Sequence, residues 1–283
     1  MGEYANVTFE VDQRVGLLTL NRPSRRNALS LPLMGEFEDV LARVDGNRDL
    51  RSLVVTGAGD SFCVGADLHG PDTLPDSIVE DRDGQTVSGF REPAGRVTER
   101  IFRLRIPVIG AVNGDAVGGG ATILAGMDYR VAADDARFGF VFTRRGVSPE
   151  GASTWFVPRL VGAGRATDWL LSGRIFDAAE ALDAGFVARI VPKAEVLDAA
   201  LEYASIFSTL TSPTSVAETR RLLAAGWGAD HPRDASLDES RTYAGLADSP
   251  DAREGVQSFL DGRQPRFEDG DEEATSSKSE RAK

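Results

Sequence analysis

Two glycine-bearing stretches hold the residues best placed to do chemistry: Ser61-Phe62-Cys63-Val64-Gly65-Ala66-Asp67-Leu68 and, some fifty residues on, Val112-Asn113-Gly114-Asp115-Ala116-Val117-Gly118-Gly119-Gly120. Leu53-Val54-Val55 precedes the first and Pro107-Val108-Ile109-Gly110-Ala111-Val112 the second, and each stretch leads towards an expected helix. A strand that turns into a helix at small residues leaves the first amide N–H groups of that helix unpaired, so they can donate to an anion. Two such turns side by side make an oxyanion hole. Taken singly, either reads first as a tight strand-to-helix turn, and nothing in the spacing proves that the two meet.

Other reactive side chains carry less. His69 follows the first turn with no second His or Cys nearby, so it reads as a loop residue and no metal is expected. Cys63 is the sole cysteine, which excludes an intramolecular disulfide and a cysteine-based metal cluster; it reads as a small apolar filler. Arg144 and Arg145 suit either a phosphate or a solvated pair, and Asp115 reads as a turn residue. Gly57-Ala58-Gly59-Asp60-Ser61-Phe62 follows a strand but has Phe62 where a dinucleotide fingerprint needs its third glycine, which argues against NAD.

The elements around these motifs alternate between short strands and helices. Residues 7–11 and 15–20 are β-rich and separated by Asp12-Gln13-Arg14, a hairpin pattern. Leu33, Met34, Phe37, Val40, Leu41 and Val44 recur at helical spacing, and Arg51 to Thr56 reads as a buried strand. Pro71 to Arg91 is polar and aperiodic, a mobile loop or lid. Val97 to Leu104 returns to a helix that Pro107 ends. A helix is expected from near Gly118 to about Met127, a strand over 129–133, then mostly helical patterns over 166–171, 178–184, 196–210 and 215–225.

Composition narrows the class further. The 283 residues allow one large or two small domains with a sizeable core, and 41% apolar content is ordinary for an α/β protein. No apolar run approaches the roughly 20 residues of a membrane span, and the first residues lack a secretory signal, so a cytoplasmic protein with no membrane role is expected. A net charge of -12 disfavours nucleic acid as a partner. Part of that acidity lies in Glu268, Asp269, Asp271, Glu272 and Glu273, at the head of a polar tail over 268–283 that reads as disordered.

Asn21-Arg22-Pro23 with Asn27-Ala28-Leu29, then Phe62 to Leu68, Asn113-Gly114 with Gly118-Gly119-Gly120, and Pro158-Arg159-Leu160-Val161-Gly162 resemble, in order and spacing, the enoyl-CoA hydratase/isomerase (crotonase) superfamily. The resemblance runs from about Asn6 to Phe267 and takes in Ser172-Gly173-Arg174 and the closing Phe259, Arg263, Pro265 and Phe267. It implies an α/β spiral of ββα units, the crotonase (ClpP-like) fold, over 1–200, and a helical trimerisation region over 201–267. It further implies acyl-CoA thioester substrates in fatty-acid metabolism and assembly as a homotrimer or hexamer. No separate cofactor is implied, since coenzyme A is part of the substrate. By position, the backbone amides of Ala66 and Gly119 would hold the thioester oxygen. The segment from Arg26 through Ala28, the run Ala66, Asp67 and Leu68, and Gly118, Gly119 and Phe142 would contact the substrate.

The resemblance also marks a departure. A hydratase of this family carries two glutamates, at positions that here read Thr122 and Phe142. Thr122 can at most orient a water, and Phe142 cannot handle a proton. A carboxylate follows at Ser148-Pro149-Glu150-Gly151, which resembles the Pro-Glu-Gly segment of the Δ3,Δ2-enoyl-CoA isomerase branch, where that glutamate shuttles the proton. One base suffices for a double-bond shift, and partial burial beside Phe142 would raise its pKa towards neutrality. From local sequence alone Glu150 reads equally as a helix-start carboxylate. The sequence favours an isomerase; a hydratase-like or thioester-hydrolysing enzyme and a non-catalytic acyl-CoA binder stay open.

Overall fold

The computed structural model describes residues 4–68 and 92–267. The loop reading of 71–91, the tail reading of 268–283 and His69 fall outside them. Contacts divide the chain at Ser205/Ile206 into two units. Among the described residues no helix is long and apolar enough to cross a membrane.

The first unit opens with an antiparallel hairpin, β1 (Val7–Asp12) and β2 (Val15–Leu20). Its two-residue loop, Gln13 and Arg14, takes positive φ of 45° and 68°, the twist that suits tight hairpins. Next comes α1 (Leu31–Gly46), capped by Ser30, whose side chain accepts from the Leu33 amide; Leu33, Met34, Phe37, Val40, Leu41 and Val44 are its buried face. Each of these side chains contributes roughly 1.5–3 kcal/mol through burial.

Three ββα units follow. They are β3 (Ser52–Gly57), β4 (Ser61–Cys63) and α2 (Pro93–Arg103); β5 (Val108–Val112), β6 (Asp115–Val117) and α3 (Gly119–Ala125); and β7 (Tyr129–Ala133), β8 (Arg137–Gly139) and α4 (Ser153–Val161). In every unit the first strand joins a six-stranded sheet, of order β1-β2-β3-β5-β7 and completed by β10 (Arg189–Val191), and the second joins a four-stranded sheet, of order β4-β6-β8 and completed by β9 (Ile175–Asp177). Strands β3 and β5, parallel neighbours, are buried along their whole length, which is why they read as continuous apolar runs rather than alternating ones. The chain continues through α5 (Ala163–Ser172), β9 (Ile175–Asp177), α6 (Ala178–Asp183), β10 (Arg189–Val191) and α7 (Val196–Thr209).

The second unit is helical, with α8 (Pro213–Gly226), α9 (Pro232–Leu246) and α10 (Pro250–Leu260). Ser212, His231 and Ser249 cap these helices, each followed by a proline at the first helical position. Arg221 pairs with Asp238 at 2.9 Å, linking α8 to α9.

The structure corrects the sequence reading at both glycine stretches. Each contains a three-residue strand, β4 or β6, that belongs to the smaller sheet. The second stretch runs straight into α3; the first, as far as Leu68, is non-helical and carries an isolated bridge between Leu29 and Ala66. Ala66 is therefore presented by an extended segment rather than a helix start.

Candidate active site

The corner between β3 and β4 is pinned by two asparagines. Asn27 donates from Nδ2 to the carbonyls of Ala58 (2.9 Å) and Ser61 (2.8 Å) and accepts from the Arg22 amide. From the other side, Asn113 donates to the carbonyls of Gly57 and Gly59, both at 2.8 Å. Arg22 reaches the Ala28 carbonyl at 2.6 Å and the buried Asp67 carboxylate at 2.8 Å, fastening the segment that carries Ala66 to the one that carries Leu29. Hydrogen bonds to charged groups inside a protein are worth more than neutral ones, so this loop is held rigidly.

The two glycine stretches then meet. Gly65 has a φ of 87°, and a Cβ there would stand 2.8 Å from the Val117 carbonyl oxygen and 3.4 Å from the Gly119 nitrogen. A Cβ on Gly120 would stand 2.2 Å from the Cys63 carbonyl oxygen. Glycine alone allows this approach. In the Leu29–Ala66 bridge the amides of Leu29 and Asp67 make the ladder bonds, to Gly65 and Leu29 carbonyls respectively, which leaves the Ala66 N–H outside the ladder. Gly119 is the first residue of α3, so its N–H has no acceptor within the helix. Both residues line one cavity of about 600 Å³.

Glu150 lines the same cavity. A Cβ built on Gly119 would lie 3.1 Å from Glu150 Oε1, which puts the carboxylate beside Gly119. Helix α4 starts only at Ser153, with Ala152 as its cap. Glu150 therefore stands before the helix start, with its carbonyl accepting from Ser153 and its half-buried side chain at the cavity. Burial first, and then the nearby charge of Glu92, push its carboxyl up to about 7. A carboxylate poised near neutrality both accepts and returns a proton readily.

Glu92 is the residue that sequence reasoning missed. It lines the cavity, caps α2 through the Gly95 amide, and accepts the Gly151 N–H at 2.9 Å. The available signal was a glutamate immediately before Pro93, the pattern of a helix start.

Of the residues expected to contact substrate, Ala66, Leu68, Gly118, Gly119 and Phe142 line the cavity. Arg26, Ala28 and Asp67 do not. Arg26 is turned to the surface, where Asp115 takes its guanidinium at 2.6 Å, while Ala28 and Asp67 are buried and bound by Arg22. Asp115, read as a turn residue, opens β6 and pairs with both Arg26 and Arg137. Thr122 is fully buried under Gly151, where a Cβ would crowd the Thr122 methyl, and it is not among the residues that line the cavity. Burial pushes the Cys63 thiol up to about 12, so it stays protonated. Arg145 lines the cavity, whereas Arg144 donates to the Ser172 carbonyl.

Comparisons with known proteins agree with this architecture. A family model described as enoyl-CoA hydratase/isomerase matches residues 10–270. The enoyl-CoA hydratase ACTT3 of Alternaria alternata is 35% identical over 256 residues, covering 90% of this chain and 83% of that protein. The 1,2-epoxyphenylacetyl-CoA isomerase of Escherichia coli (strain K12) is 35% identical over 270 residues, covering 92% and 97% respectively. Among similar curated proteins the hydratase name is the commoner. The crystal structure of a probable enoyl-CoA hydratase/isomerase from Mycobacterium abscessus superposes with a TM-score of 0.83 at 34% identity, covering 93% of this chain and 99% of that one. The paired strands of the three ββα units, the meeting of the two glycine stretches and these matches lead to one conclusion: the chain is an enzyme of crotonase fold that belongs to the enoyl-CoA hydratase/isomerase family.

Proposed function

We propose that this enzyme shifts the double bond of an enoyl-CoA thioester, taking a proton from C2 of a 3-enoyl-CoA and returning it to C4. The pair of electrons left by the C2–H bond moves into an enolate, whose oxygen accepts the Ala66 and Gly119 amides. When the enolate collapses, C2=C3 forms and the former C3=C4 pair takes the proton at C4 from Glu150. One carboxylate performs both transfers, and the amides stabilise the charge that develops between them.

The observation that carries this reading is the placement of Glu150 against Gly119 in the cavity that both amides line. Thr122 and Phe142 supply no carboxylate, which weighs against water addition by the usual pair. A hydratase-like reading has one observation in its favour, the second carboxylate of Glu92. That carboxylate, however, is engaged by the Gly95 and Gly151 amides, an anchor rather than a free base. Hydration of crotonyl-CoA is therefore expected to be slower than isomerisation of a 3-enoyl-CoA, measured on one preparation. Comparable or faster hydration would refute the isomerase assignment.

A pH profile gives a second check. Glu150 must be ionised to take the C2 proton, so kcat/KM for the 3-enoyl-CoA should climb about tenfold per pH unit on the acid side and level off. The bend should fall near the pH of about 7 at which Glu150 titrates in the free enzyme. A profile flat from pH 5 to pH 8 would exclude this carboxylate as the base.

The assembly belongs to the same proposal. Leu223, Tyr243, Val256, Phe259 and Leu260 are large apolar side chains exposed on α8, α9 and α10, which supports a homotrimer or a pair of trimers built through the helical region.

A further inference from the structure

We propose that Glu92 is the positioning residue for Glu150: anchored on the Gly95 and Gly151 amides, its carboxylate ties the start of α2 to the turn that aims Glu150 at Gly119. This inference rests on the reading of Glu150 as the proton carrier. The tether spans 59 positions of sequence, with Glu92 Oε1 accepting the Gly151 N–H at 2.9 Å while the other oxygen caps α2 at Gly95. Underneath, the turn is fixed by Thr122, whose methyl leaves no room for a side chain at Gly151, and Gly151 itself holds a φ of 62°. With the turn gripped from α2 above and from α3 below, the residue beside it is left few directions to point.

A cap alone does not explain a glutamate here. Ser, Thr, Asp or Asn are the preferred capping residues, and none would reach across to Gly151 as well. Placing a second carboxylate beside Glu150 is electrostatically unfavourable in a partly dry cavity, so a purely structural contact would be better served by a neutral side chain. The cost has a consequence for chemistry: the Glu92 charge adds to burial in holding the Glu150 carboxyl near neutrality. The other groups facing Glu150 do not replace it. Cys63 on β4 is a neutral thiol, and Arg145 is exposed to solvent on the cavity wall.

Two variants separate position from charge. Glu92→Gln removes the charge and keeps one acceptor oxygen, which can serve the Gly151 amide at the expense of the Gly95 cap; Glu92→Ala removes the charge and both contacts. The direct readout is carbon NMR of ligand-free protein labelled at glutamate carboxyl carbons, with the Glu150 resonance assigned by its loss in Glu150→Gln. In Glu92→Gln the Glu150 midpoint should fall by roughly half a pH unit or more, yet stay above the ordinary carboxylate range because burial remains the larger cause. An unmoved midpoint overturns the proposal. In turnover of a 3-enoyl-CoA, Glu92→Ala should lose about tenfold or more in kcat with KM nearly unchanged, and Glu92→Gln should restore most of that loss above pH 8. Wild-type kcat in Glu92→Ala, with only a lower melting temperature, would likewise overturn it, since that is what a helix cap alone produces. The NMR titration does not depend on Glu150 moving a proton, so it distinguishes a failure of this inference from a failure of the isomerase reading.

Discussion

Glu150→Gln is expected to lower turnover of a 3-enoyl-CoA by about 100 to 10,000-fold while changing acyl-CoA affinity little. Glutamine keeps the shape and the hydrogen-bonding capacity of the side chain but cannot take a proton. The same change should raise stability at alkaline pH. In the folded protein the Glu150 carboxyl titrates at about 7 against an ordinary 4.5, so folding favours its protonated form. That contribution is whole below about 4.5 and is lost as the pH rises through 7, where the charge must be held half-buried. At pH 8 the variant should therefore melt at a higher temperature than the wild type. Loss of activity together with loss of stability would indicate a structural role instead.

The second large effect is expected from Gly65→Ala. The donors themselves are backbone atoms and cannot be deleted by substitution, but the residue before Ala66 controls where one of them points. At a φ of 87°, with a Cβ 2.8 Å from the Val117 carbonyl, an alanine must push the two glycine stretches apart. Losing one preorganised donor costs on the order of 100 to 1,000-fold in kcat, about 3 kcal/mol. Turnover should fall by that much in protein whose circular dichroism is unchanged. A folded Gly65→Ala protein with kcat within a few-fold of wild type would show that Ala66 does not hold the thioester oxygen.

Much of the frame that carries these residues was readable in the sequence. The hairpin, α1 and the buried β3 and β5 are announced by alternation, helical spacing and continuous apolar runs, patterns that burial itself imposes. The meeting of the two glycine stretches was a conjecture from small residues after strands, and the packing of Gly65 on Gly118 and Gly119 bears it out. Strands β4, β6, β9 and β10 went unread, being three residues each and defined by partners distant in sequence. Helices α9 and α10 lack buried large apolar side chains, so no apolar stripe marks them, although the capping residues before Pro232 and Pro250 were a usable signal.

The site was legible less evenly. Position relative to Gly119 brings Glu150, Ala66 and Phe142 to one cavity, as the motifs led one to expect. Arg26, Ala28 and Asp67 came from resemblance alone: Arg26 pairs with Asp115, Arg22 holds the Ala28 carbonyl and the Asp67 carboxylate, and none of the three is among the residues lining the cavity. Glu92 adjoins a polar aperiodic stretch, where a single glutamate has no pattern to stand out from. Its importance exists only through the Gly151 amide and the charge of Glu150, both contacts across distant parts of the chain.

Proton movement by Glu150 is tested most directly with solvent deuterium. A 3-enoyl-CoA is incubated in heavy water with wild-type enzyme and with Glu150→Gln, and the thioesters are read by NMR or mass spectrometry. With the wild type, deuterium should enter C4 of the 2-enoyl product and C2 of recovered substrate, because the glutamate exchanges its proton with solvent between transfers. With Glu150→Gln neither position should be labelled. Equal labelling by both proteins would mean that another group moves the proton, and the account of this site would fall with it.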